Sequence, residues 1–158
     1  MRSRIGAGIV AGLLAGLAFG VLAHLIHTPM AMGGRISMIS MMARVVRSDS
    51  LIAGWAYLLI SSGLMGGIFG LAFGDRASGF AGWLLRGALF GLVLWLLGAL
   101  VLMPLLLGME AFAPVTMAPM RRAAWLGLGA HLLSGLLLGG VFAGLYRRGP
   151  GKSPAGRP

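Results

Sequence analysis

Gly8-Ile-Val-Ala-Gly12-Leu-Leu-Ala-Gly16-Leu-Ala-Phe-Gly20-Val-Leu-Ala-His24 carries a glycine at every fourth position and closes the row with an imidazole. Residues four apart stack along one side of a helix, so the row makes a groove without side chains. In water, four glycines inside one helix cost roughly 1 kcal/mol each relative to alanine. In a bilayer the same groove lets a second helix approach to backbone distance. The stretch therefore predicts a membrane helix and the face on which it meets a partner.

The rest of the chain agrees. Of 158 residues, 58% are hydrophobic and 10% charged, and the mean hydropathy is +0.93. A soluble domain carries about a quarter charged residues. About 20 mostly apolar residues make a span. Four stretches qualify, approximately Ile5–Thr28, Leu51–Phe73, Ala81–Leu107 and Ala123–Tyr146. The expected fold is an all-α, integral membrane four-helix bundle forming a single domain over 1–148. Met1-Arg-Ser-Arg before an apolar run resembles a secretory signal. The run exceeds a signal h-region and ends in His-Leu-Ile-His, so it is read as a retained first span. After Tyr146, the tail 149–158 is rich in Gly, Pro and basic residues and is expected to be disordered.

The net charge of +10 does not point to nucleic acid, because the basic residues sit at span ends, where lipid head groups lie. With the N-terminus inside, eight Lys and Arg face the cytoplasm (Arg2, Arg4, Arg76, Arg86, Arg147, Arg148, Lys152, Arg157). Five face outward: Arg35, Arg44, Arg47, Arg121 and Arg122. The positive-inside rule then puts both termini in the cytoplasm.

The chain reads as a tandem repeat of a two-helix unit, about 5–74 and 80–146. A shift of 75 carries Gly12, Gly16, Pro29 and Gly33 onto Gly87, Gly91, Pro104 and Gly108. A shift of 72 carries Ser62, Gly63, Leu64 and Gly67 onto Ser134, Gly135, Leu136 and Gly139; one residue later, Gly66-Gly67-Ile68-Phe69 matches Gly139-Gly140-Val141-Phe142. Units of two spans enter the membrane in the same direction, which makes the repeat parallel. Between spans 1 and 2, Arg35–Arg47 alternates polar and apolar residues at helical spacing and predicts an amphipathic helix in the outer interface. Ser48-Asp49-Ser50 offers N-cap oxygens to the second span. The matching loop, Glu110–Arg122, holds Pro114 and Pro119 and reads as irregular. Every span has small-residue positions for packing: Gly8, Gly12, Gly16 and Gly20; Gly63, Gly66, Gly67 and Gly70; Gly87 and Gly91; Gly135 and Gly139. They suit helices of this chain, a second copy, or other membrane subunits.

Chemistry has few carriers. Without cysteine there is no thiolate site. Asp49, Asp75 and Glu110 are the only carboxylates and lie near span ends, so no acid–base pair forms and no enzymatic activity is expected. His24 continues its glycine row, and His131 precedes Gly135 and Gly139 at the same spacing, so both are expected in helix seams. By helical rise, His131 lies about 12–14 Å inward from Arg122. One reading gives the two histidines interhelical hydrogen bonds to Ser61, Ser62 or Tyr57. A second makes them axial ligands of haem b. A third is a copper site on His24, His27, Met103 and His131, with Met30, Met32 and Met109 in the same layer, since thioether and imidazole suit Cu(I). Pro29 and Pro104 free the carbonyls of Leu25 and Leu100, and mark kinks or helix ends. Trp55, Tyr57, Trp83, Trp125 and Tyr146 fall where aromatic belts lie, and Trp95 falls near mid-span.

His131-Leu-Leu-Ser-Gly135-Leu-Leu-Leu-Gly139, with Leu96-Leu-Gly-Ala-Leu-Val-Leu-Met-Pro104-Leu, resembles small prokaryotic four-span inner-membrane proteins of unknown function. The resemblance covers the second half and implies a compact four-helix membrane domain. The function expected from all this is a non-catalytic packing or accessory subunit of a larger membrane complex. The alternatives are a haem b or metal-binding protein and, if the chain oligomerises around a path, a small transporter.

Overall fold

The computed structural model describes residues 3–29, 34–74 and 79–146. The expectations placed on Arg2, Met30, Met32, Gly33, Asp75, Arg76 and the stretch 147–158 lie outside the described residues. In chain order the elements are α1 (Arg4–Leu25), strands β1 (His27–Pro29) and β2 (Arg35–Ser37), α2 (Met38–Val45) and α3 (Leu51–Phe73). There follow α4 (Phe80–Leu94), a π-helical stretch (Trp95–Leu102), α5 (Met103–Leu106), the single turn α6 (Ala113–Thr116) and α7 (Ala118–Tyr146). Four helices are long and apolar enough to cross a membrane: α1, α3, the continuous run Phe80–Leu106, and α7. The fold is an all-α four-helix bundle with one short hairpin.

α1 starts where the Ser3 hydroxyl accepts the Gly6 N–H at 2.9 Å, filling one of the donors a helix start leaves open. It stops at Leu25 because Thr28 precedes a proline, which disfavours helical backbone. β1 then pairs with β2 in an antiparallel register that sets His27 against Ser37 and Pro29 against Arg35. This hairpin replaces the first part of the amphipathic helix expected over Arg35–Arg47. What remains, α2, does not simply rest on the surface: Ile39 and Ala43 are fully buried against the bundle. A side chain at Gly54 would strike the Ile39 carbonyl, so that glycine is what lets α2 lie on α3. Ser50 occupies the N-cap position of α3 without a side-chain cap bond; the Ser48 hydroxyl accepts the Ser50 N–H instead. The loop expected to be irregular over Glu110–Arg122 contains α6 and the first turn of α7, where Pro119 is tolerated because the N–H groups there have no helical partner.

Two glycine seams organise the bundle. In the first, a Cβ at Gly8 would meet the Gly66 carbonyl, and one at Gly12 the Ser62 carbonyl. In the second, a Cβ at Gly87 would meet the Gly135 carbonyl, and one at Gly139 the Trp83 carbonyl. The seams correspond by a shift of 75 in their first helices and 73 in their second, so Gly66 answers Gly139 and Ser62 answers Gly135. The frame of 72 does not describe the contacts. Gly63 and Gly67 instead receive the side chains of Leu13 and Ile9. Gly20 lies under the Trp55 ring.

A second small-residue row on α1 escaped the sequence reading. Ala7, Ala11 and Ala15 share a core with Leu138, Phe142 and Ala143 of α7, so α1 offers glycine to α3 and alanine to α7. The fully buried Phe69 and Phe142, which correspond under the shift of 73, meet edge to face at 5.5 Å. α3 and α4 meet through rings, with Phe69 5.5 Å from Phe90 and 6.4 Å from Trp83. Trp83 is therefore core and not belt, only 3% exposed.

Candidate functional site

Behind those rings the backbones of α3 and α4 stay apart, and a cavity of about 260 Å³ opens among the helices. α1 contributes Gly12, Gly16 and Phe19; α3 contributes Tyr57, Ser61, Ser62 and Met65; α7 contributes Met120, His131 and Ser134. α2 contributes Met38, Met41 and Met42, and α5 contributes Met103, which packs on the same cluster as Met38 and Met42. Six of the 11 methionines thus wall one cavity with one histidine. Apart from that histidine, Thr28, Tyr57, Trp95 and the three serines, the wall is apolar. Only Met103 and His131 come from the set proposed for copper on sequence.

His131 is placed by glycine. A Cβ at Gly91 would strike the His131 carbonyl, so α4 approaches α7 at that turn and the imidazole is carried inward. Its Nδ1 donates to the Gly127 carbonyl at 2.7 Å, and its ring meets the Phe19 ring at 4.7 Å, tilted 74°. Since a carbonyl only accepts, Nδ1 bears the proton, and Nε2 keeps its lone pair. The interhelical bonds expected for this residue do not form: the Ser61 hydroxyl donates to the Leu58 carbonyl and that of Ser134 to the His131 carbonyl.

His24 departs from expectation. It is exposed, while Ala23 is fully buried at that level, so the imidazole leaves the seam its row had followed. It does not line the cavity of His131. The two histidines are not gathered into one site, and haem ligated by both has no counterpart in this arrangement. His27 is likewise exposed, with Nδ1 donating to the Leu25 carbonyl at 2.9 Å. Glu110 is exposed too, and no cluster of three His, Asp or Glu forms among the described residues.

The π-helical stretch forms the cavity's other wall, with Trp95 and Gly98 facing inward. Proline in an α-helix lacks a donor and crowds the carbonyl four residues earlier. Ahead of Pro104 the chain widens, and the Met103 N–H reaches back five residues to Gly98. The Leu100 carbonyl that Pro104 frees accepts the Phe112 N–H at 2.6 Å. The carbonyl released near Pro29, that of Leu25, is taken by His27. Both are therefore satisfied within the chain. Trp95 Nε1 donates to the Ala124 carbonyl at 3.1 Å and ties the widened turn to α7. Sequence reasoning missed the π-helix; a proline late in a span, following a mid-span tryptophan, was the available signal. No family model, no curated protein and no solved structure matches this chain.

Proposed function

We propose that this protein is a non-catalytic, multi-pass protein of the bacterial inner membrane, accessory to a larger membrane assembly, and that it holds a soft monovalent metal ion of the Cu(I) class in the cavity beside His131. The observation that carries the reading is the pairing of a tautomer-fixed imidazole with a thioether wall. Metal-binding histidines generally donate their second nitrogen to a carbonyl or carboxylate, which orients the ring and raises its basicity. The Nδ1 bond to the Gly127 carbonyl matches that arrangement. Thioether and neutral imidazole together select Cu(I) over harder cations, and a cavity lined by no carboxylate supports the same choice. Methionine also serves as a flexible filler of irregular cores, so the imidazole is the discriminating element.

The test is a titration of protein in lipid nanodiscs with Cu(I) against a chromogenic Cu(I) chelator. One equivalent is expected to be withheld from the chelator. His131→Ala should weaken binding by at least about tenfold, the smallest loss usual even for outer-shell changes. Met103→Leu, similar in volume, should weaken it without unfolding the bundle. If the wild-type chain withholds no copper, or His131→Ala withholds as much, the reading is lost and packing is what the methionines do.

A further inference from the structure

A second concavity, of about 510 Å³, lies outside the bundle at the end that carries the hairpin, where α1 and α7 run side by side. We infer that it is a binding site for one anionic phospholipid, whose phosphate sits between Arg35 and Arg122 and whose acyl chain lies in the groove below. Arg122, Leu126, Gly129 and Leu133 recur at spacings of four, three and four, so they form one stripe along α7. Leu22, Leu25 and Ile26 of the α1 end form the facing wall. Leu126 and Leu133 are half-exposed, and a Cβ at Gly129 would meet nothing within 4 Å, so the stripe has an open notch midway. From Leu126 to Leu133 the groove descends about 10 Å by helical rise.

Charge selects the occupant. Arg35 and Arg122 lie on the rim and have no carboxylate partner among the described residues; the one ion pair at this end joins Arg44 to Asp49 at 3.9 Å. Guanidinium groups grip phosphate oxygens in pairs, and basic pockets between membrane helices at the interface take anionic head groups. A free phosphate would satisfy the rim but leave the apolar wall empty. A neutral lipid would fill the wall but not the net charge. An anionic phospholipid does both.

The experiment uses the full chain in nanodiscs of phosphatidylcholine alone or with phosphatidylglycerol, with bound lipid counted by native mass spectrometry after gentle release. One phosphatidylglycerol is expected to stay bound. Arg35→Gln and Arg122→Gln should each lower its retention about fivefold, as loss of one interfacial charge implies. Gly129→Leu, which adds bulk where there is room, should lower retention with both charges intact; Arg47→Gln, at the same end but off the groove, should not. Both arginine variants alter exposed side chains, so thermal midpoints in phosphatidylcholine should be unchanged. Retention unaffected by Gly129→Leu, or loss of the bound phosphatidylglycerol to an equal concentration of inorganic phosphate, would overturn the proposal. Equal retention of phosphatidylcholine would overturn it as well.

Discussion

Gly66 and Gly135 each stand where a single methyl group would press on backbone, that of Gly8 and of Gly87 respectively. Neither helix can yield by moving a side chain. Gly66→Ala and Gly135→Ala should therefore each destabilise the bundle by about 1–3 kcal/mol, as overpacking does elsewhere. Gly144→Ala, with nothing near the added carbon, should be neutral or stabilising by up to about 1 kcal/mol through helix propensity. Reversible unfolding in mixed micelles measures all three, and equal effects at Gly66 and Gly144 would remove the seam from the account. At this scale the glycines were legible because their spacing alone names a face. His24 was not, for a geometric reason. Each step of four residues turns about 40° around a straight helix, so four steps from Gly8 rotate about 160°. Crossing helices follow that drift for a few turns, but by His24 the partner has gone and Ala23 faces inward. His131 to Gly139 takes two steps, drifts about 80°, and stays on the bundle. Spacing by four is a short-range rule.

The elements least visible in the sequence are those decided by one distant bond. Nothing within Trp95–Leu102 distinguishes it from α-helix; Pro104 lies downstream, and the acceptor it frees is claimed by Phe112 across the turn. Likewise β1 and β2 form because α2 is drawn onto α3 at Gly54, which leaves Arg35–Ser37 extended. Trp95→Phe keeps a ring in place and removes the donor to Ala124, so it should cost about 0.5–1.5 kcal/mol. Loss of the same size from Trp125→Phe, whose ring only packs 5.7 Å from that of Trp95, would show that the bond is not what matters. Two residues beyond the end of α2 stands Arg47, whose φ of 55° lies in the left-handed region that L side chains avoid. Glycine carries no such penalty. Arg47→Gly should raise the unfolding midpoint, by up to about 1 kcal/mol of stability. A fall would mean that the arginine side chain contributes more than its backbone costs.

Across the molecule, the order α3–α1–α7–α4 follows from which faces are smooth: α1 and α7 pack against each other and each carries a glycine partner on its other side. The two glycine pairs are built alike and run in sequence, so a bundle that spans the membrane four times returns both ends of the chain to one side. The excess of basic residues, eight against five, leads us to propose that this side is the cytoplasm. Because the chain has no cysteine, a single introduced thiol reports its own location without background. Ser50 is exposed between α2 and α3 and makes no side-chain cap bond, which suits it to replacement. Ser50→Cys should react with a membrane-impermeant maleimide on intact cells, and Ser153→Cys only after the membrane is permeabilised. The reverse pattern would invert the bundle and turn the groove at Arg35 and Arg122 toward the inner leaflet, whose anionic lipids would then be its source. Reaction of both thiols from one side would mean an even number of crossings between them, so that one of α3, the Phe80–Leu106 run and α7 does not cross. Ser3→Cys tests the remaining span by itself, since α1 crosses only if Ser3 and Ser50 label from opposite faces.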